Sequence, residues 1–525
     1  MPEAGDAPTI NLANPDAAEV PARKLSEVGA QFPVWSADAR HVHWSIGHSH
    51  FVYDVDSAFV PRDTTQGAKK STYHGIETAI VVRAKRDTPQ GTALLRNARI
   101  VTMRGTEVIE RGDVLVRNNR IAAVGATGTL TGVPSDARVF DLTGKTVVPG
   151  FVDTHAHLGL LRGEHQQPSS YLINLAFGVT TTRDPQTGTT DVLSYEDAVT
   201  AGLAVGPRIY STGPGLFAAS YVPGAGEDIK DLDDARRILR RYGTYYDTKT
   251  LKMYIAGNRQ QRQWILMAAK ENNIMPTTEG ALDFRYDMTM AMDGYPGQEH
   301  NIPLVPLYKD VIALFAQSGI AYTPTLIVSY GGPAGENYWY THYPPYNDPK
   351  VQRFMPYEEL ASKSRRRVRS LLGGGNASGW FMDEEYVFPK VSKTLNDLVK
   401  AGGHVQIGSH GQFNGLGYHW EMWMFGMGGM APMDILHAAT MFGAEAIGLQ
   451  KDIGSIETGK LADLVVLNAN PLENIRNTNS VRYVMKNGRM YDGDSLDELY
   501  PRQRKMDPVP GTPKAPVVKA GIAQP

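Results

Sequence analysis

The sequence predicts a distorted (β/α)8 barrel with a small split β-sandwich, preceded by a β-propeller-like segment. Three observations lead there. Between about 147 and 447, eight short β-branched or apolar runs alternate with helix-patterned stretches, the count of a (β/α)8 barrel. Short alternating strands flank that region on both sides, at 91–146 and 448–495, which suggests one sandwich built from both ends. Finally, residues from 31 to 90 open with Pro33-Val34-Trp35-Ser36-Ala37-Asp38 and two runs that alternate aromatic with polar residues, the texture of a propeller blade.

The elements follow in order. Residues 1–30 read as a loose leader without the basic start and apolar core of a signal peptide. The blade-like segment carries His41, His43, His48 and His50, read as strand-surface residues. "TALLRNARIVTM" and "GDVLVRNNRIAAVGA" form the first part of the sandwich; "GSIETGKLADLVVLNAN" and "VRYVMKNGRMY" form the second. The eight barrel strands are expected in "VVPGFVDTHAH", "VTTTRD", "PRIYSTG", "TLKMYI", "IMPTTEG", "GQEHN", "AYTPTLIV" and "HVQIGSH". "RQQRQWILMAAKENN" has apolar residues on one helical face, and the insert at roughly 329–395 is long enough to wall or cover a site. Residues 496–525 read as a proline-rich tail.

Composition narrows the chemistry. With 42% hydrophobic and 21% charged residues the chain has a globular composition, and a net charge of −2 argues against a nucleic-acid surface. The absence of cysteine excludes disulfides, thiolate metal sites and cysteine nucleophiles, so a metal must be held by nitrogen and oxygen. No apolar run reaches membrane-spanning length. As it stands the chain reads as cytoplasmic, yet the absence of cysteine is equally compatible with an exported protein, so localisation stays open.

Barrel enzymes place their chemistry at the C-terminal ends of the strands. His155 and His157 share one face at the end of the first strand. Lys252 lies on the fourth, Glu279 ends the fifth, His300 the sixth and His410 the eighth. The same His-x-His spacing at His41/His43 and His48/His50 lacks partners from other strands. Asp153 is expected to orient His155, and His404 to be structural. Glu299 is expected on the strand face opposite His300. Arg183 and Asp184 either orient substrate or form an ion pair. Tyr330, Trp339 and His419 are candidate substrate-binding residues, within an aromatic set that includes Trp420 and Trp423; His165 is a further pocket candidate.

"PGFVDTHAHL", "LKMYI", "QEH", "ATMFGAEAIGL" and "GSIETGKLADLVVL" stand in the order found in the amidohydrolase superfamily, which the chain resembles across roughly 91–495. The upstream blade resembles a subgroup with a Tol-type propeller fused before the hydrolase. The resemblance implies a metal-activated hydroxide attacking an amide, cyclic amide or small peptide. It implies Zn2+ (or Mn2+, Co2+ or Fe2+), one or two ions per chain. In binuclear members a carboxylated lysine bridges two ions. Carried over, Lys252 bridges, His155 and His157 hold one ion, and Glu279 and His300 hold the other. Alternatively, Lys252 is unmodified and salt-bridged to Glu279 at a mononuclear site. Two departures stand out: Glu279 replaces the usual strand-five histidine, and "IGSHG" lacks the strand-eight aspartate. His410 is the natural substitute, as proton shuttle or as ligand.

The missing aspartate disfavours deamination. Ester, lactone or organophosphate hydrolysis is the nearest enzymatic rival, and a silent scaffold the rival from another class. An unpartnered blade, with Phe32, Trp35, Trp44, Phe51 and Tyr53 lacking companions, implies a homo-oligomer or a larger propeller-containing assembly.

Overall fold

A computed structural model describes residues 24–26, 28–57, 74–158, 167–187, 191–220, 226–280, 282–364 and 381–512. The expected site residue His165 lies outside them. The chain divides into two compact units, one of Met1–Ala84, Leu216–Leu251 and Ile255–Met275, the other of Lys85–Gly215, Lys252–Tyr254 and Pro276–Pro525.

The first unit contains a four-stranded antiparallel meander of β1 (Gln31–Trp35), β2 (His41–Ile46), β3 (Ser49–Asp54) and β4 (Ile76–Ala79). Strict alternation along β2 and β3 buries Val42, Trp44, Ile46, Phe51 and Tyr53 and turns the histidines to the other face. Trp44 stacks on Phe51 at 5.3 Å between ring centroids, and Phe51 meets Tyr245, 6.1 Å away, at the end of helix Leu232–Tyr245. Three of the five aromatic residues expected to lack companions therefore have them within this unit. Phe32 and Trp35, on the edge strand, remain 69% and 59% exposed. The sheet is a single meander; no second four-stranded antiparallel sheet occurs among the described residues.

The second unit opens with β5 (Thr92–Val101), β6 (Val108–Arg117), β7 (Arg120–Ala126), β8 (Arg138–Asp141) and β9 (Thr146–Pro149). The α/β region follows with β10 (Phe151–Asp153), β11 (Val179–Asp184) and β12 (Arg208–Ser211), a parallel set. β13 (Leu216–Phe217) belongs to the first unit, and β14 (Thr250–Tyr254), β15 (Met275–Glu279), β16 (Gly297–Glu299) and β17 (Ala321–Thr323) follow, side by side in that order. The eighth expected strand forms only isolated parallel bridges, Tyr322↔Val405 and Ala156↔His410, with Thr154 N donating to Ile407 O at 3.1 Å. These bridges link β10 to β17. Among the described residues no ladder joins β12 to β13 or β14. The eight strands thus form two arcs joined through 405–410 rather than a closed barrel. Gly408 permits that junction: a Cβ there would lie 2.6 Å from Thr323 and 2.7 Å from His155.

The chain then returns to the first sheet as β18 (Leu464–Leu467), β19 (Val481–Lys486), β20 (Arg489–Asp492) and β21 (Glu498–Tyr500). Val148 pairs with Val465 and Val147 with Val466, which joins the two ends of the chain in one β-rich domain. Its core includes Leu95, Ile100, Val114, Val147, Leu464, Val466 and Met485, all fully buried. The tail expected from 496 begins instead as a strand of this sheet, with Tyr500 in the same core.

Within "ETGKLADLVVL", Lys460 shows why the motif is compact. Its Nζ donates to Gln450 O at 2.6 Å, Ile453 O at 3.2 Å and Ser455 Oγ at 2.6 Å, holding the preceding loop closed. Lys460→Met should cost about 1–3 kcal/mol by stranding these buried acceptors. A lower urea midpoint checks this; an unchanged midpoint would refute it.

Candidate metal centre

All six residues expected to form the ring come together in the second unit. His155, His300 and His410 each offer a ring nitrogen, and the three atoms lie within 4.8 Å of one another. His157 flanks them, its ring centroid 5.3 Å from that of His155 and 4.8 Å from that of His410. Lys252 Nζ contacts Glu279 Oε1 at 2.7 Å, while Glu279 Oε2 lies 3.4 Å from His300 Nε2.

The backbone explains two of these placements. His300 and His410 adopt φ of 67° and 57°, in the left-handed region. At His300 this breaks the alternation of the strand, so Glu299 and His300 both turn inward. The expectation that Glu299 faces away is therefore wrong. Its Oε2 accepts from, or shares a proton with, His155 Nδ1 at 2.8 Å, and Arg183 and Thr277 bond its other oxygen. Arg183 also donates from Nε to Thr154 O at 2.8 Å. Of its two expected roles, the ion pair is the one its contacts show. Asp153 accepts from Ser409 Oγ at 2.6 Å and from the His155 amide at 3.2 Å, orienting the strand end as expected. Thr325 Oγ1 holds His300 Nδ1 at 2.5 Å.

Electrostatics favour neutral imidazoles. Burial, then the neighbouring His300, holds His155 well below the ordinary histidine range. Burial and His157 do the same to His410, and burial with Lys252 depresses His157 to about 4. Burial alone would raise the Glu279 carboxyl, but Lys252 and the adjacent histidines outweigh it and keep the group well below its usual value. Neutral nitrogens beside a carboxylate are the forms that bind a divalent cation. His155 Nε2 and His410 Nδ1 are also buried without a hydrogen-bond partner, so the donor set fits a metal.

The ring opens onto a cavity of about 210 Å3 lined also by Tyr254, Val328, Ser329, Tyr330, Glu336 and Gln412. Tyr330 lies where the sequence suggested, stacked on His300 at 4.6 Å between centroids. Trp339 and His419 do not reach it. Trp339 packs with Trp420 and Trp423 at 6.1 and 5.4 Å, and His419 is fully buried, its ring bonded to Thr478 Oγ1 and Phe177 O. Most of the aromatic set is packing rather than pocket. Tyr254, absent from the expected site, had a signal: it lies two residues beyond Lys252 on one strand.

Against this geometry, the model of the amidohydrolase family matches residues 146–491. The chain belongs to that family. Imidazolonepropionase from Shouchella clausii (strain KSM-K16) is 22% identical to this amidohydrolase over 437 residues, 76% of this chain and 89% of the relative. N-substituted formamide deformylase from Arthrobacter pascens is 52% identical over 48 residues, 9% of each chain. A Xaa-Pro dipeptidase with bound methionine superposes with a TM-score of 0.59 at 20% identity, covering 77% of this chain and 100% of that one. Molinate hydrolase gives 0.59 at 17% identity, with 77% and 95% covered. These structural likenesses support the fold, a (β/α)8 barrel with a β-rich domain.

For the amidohydrolase, the His155–Glu299 contact makes a direct prediction. Glu299→Gln should weaken metal binding by roughly 10–100-fold, since carboxylates behind ligating histidines carry about that much affinity. Competition with a calibrated chelator measures it, and wild-type affinity would show that Glu299 does not support the site.

Proposed function

We propose that this amidohydrolase hydrolyses a C–N bond in a small amide, cyclic amide or peptide, using one zinc ion held by His155, His300 and His410. The observation that carries the reading is the convergence of three ring nitrogens within 4.8 Å, two of whose rings have a buried nitrogen without another partner. A divalent ion in that position supplies a water acidified toward neutral pH and a Lewis acid for the scissile carbonyl.

The remaining roles belong to the side chains. Glu299 and Thr325 fix the orientation of His155 and His300 through their Nδ1 atoms. Lys252, paired with Glu279, balances the buried carboxylate, which supports the salt-bridged reading over a carboxylated bridge. Burial keeps Tyr330 a neutral phenol, able to donate a hydrogen bond to a carbonyl oxygen. The cavity of about 210 Å3, with Val328, Ala334, Tyr254 and Tyr330 among its walls, suits a small substrate with an apolar side.

Three measurements test the proposal. Elemental analysis of protein never exposed to chelator should give at least about one ion per chain, the transition-metal count expected for the three-nitrogen site alone. His410→Ala should lose metal and activity together. A fall in kcat of ~10²–10⁴ with metal retained would instead make His410 a proton shuttle. Metal-free protein that gains no activity on adding zinc, across amides, dipeptides, esters and lactones, would overturn the hydrolase reading.

A further inference from the structure

The sheet of the first unit carries a second group of histidines. On β2 and β3, His41, His43 and His50 share the face opposite Trp44, Phe51 and Tyr53. The register pairs Ser45 with His50 and His43 with Val52, so His43 and His50 are diagonal neighbours across the two strands. Their half-buried rings converge: His43 Nδ1 lies 3.2 Å from His50 Nε2, with centroids 5.3 Å apart.

We propose that His43 and His50 form a second divalent transition-metal site, separate from the catalytic centre. Nitrogens bound at about 2.0–2.1 Å to one ion, at a near-tetrahedral angle, lie roughly 3.3 Å apart. The imidazole nitrogens already stand at that spacing, so chelation requires no rearrangement of the backbone. His41 adjoins the pair, its centroid 6.4 Å from that of His43, with Asp38 and Asp54 carboxylate oxygens 3.6 and 3.9 Å from its ring nitrogens. Two nitrogen donors select borderline cations such as Ni2+, Cu2+ or Zn2+ over Mg2+ and Ca2+, which prefer oxygen. An ion there would clamp β2 to β3 and fix their register.

The competing arrangement is a plain N–H···N hydrogen bond between the two rings, and a titration separates the two. Full-length protein, given a single equivalent of zinc so that the three-nitrogen catalytic centre fills ahead of the two-nitrogen pair, is titrated with Ni2+ by calorimetry. Wild type should take up one Ni2+ more than the His43→Ala/His50→Ala variant. His404→Ala, which removes an exposed histidine elsewhere, should match wild type. Equal uptake by wild type and the double variant, or equal loss in His404→Ala, overturns the proposal. Should the double variant misfold, paramagnetic broadening by Cu2+ in wild-type protein decides instead. Ring signals of His43 and His50 must broaden first; preferential broadening elsewhere overturns the site.

Discussion

The centre depends on one buried chain of polar contacts: Arg183 to Glu299 to His155. Each member is at most 2% exposed, so none can be satisfied by water. An uncompensated Glu299 carboxylate would be costly there, and burial already pushes its protonation upward against the pull of Arg183. Arg183 is the last residue but one of β11, Glu299 ends β16 and His155 follows β10. One set of bonds therefore ties both arcs of the α/β region together at the level where the imidazoles converge. The unpartnered Nε2 of His155 inherits its direction from a guanidinium on a different strand.

Much of this was legible in the chain itself. Seven of the eight strand positions, the two-ended β-rich domain, and the convergence of His155, His157, Lys252, Glu279, His300 and His410 all follow from periodicity and the rule that chemistry sits at strand ends. The misses have a common origin. Alternation assigns faces only while the backbone stays extended, and the left-handed conformation at His300 reverses that assignment for Glu299. Trp339 and His419 were misplaced because composition cannot separate an aromatic wall from an aromatic core. In the structure Arg476 lies 5.5 and 5.4 Å from the centroids of Trp339 and Trp423, and the cavity is lined by smaller neighbours. The distortion of the barrel takes the form of two arcs, a detail strand count cannot give, since it says nothing of which ladders form. The propeller expectation rested on one motif, and one motif yields one sheet.

The departures from the family pattern have local compensation. Where an aspartate is usual after strand eight, Ser409 and His410 stand in its neighbourhood, and Ser409 is tied by its hydroxyl and amide to Asp153. A carboxylate is thus still present at the junction, supplied from the first strand and held back from the cavity. Glu279, in place of a histidine, brings negative charge to the centre, and Lys252 answers it directly. The net effect is a Lys252–Glu279 pair balanced in charge, with the neutral imidazoles of His155, His157 and His410 beside it.

The pairing of Val148 with Val465 carries a consequence for biosynthesis. One edge of β9 can be satisfied early by β5, but the other waits until nearly the whole α/β region has left the ribosome. During that interval the nascent protein displays an open apolar edge of Val147 and Val148, the kind of surface to which chaperones and stray strands attach. Translation speed through the C-terminal quarter should therefore govern how much of the enzyme escapes aggregation.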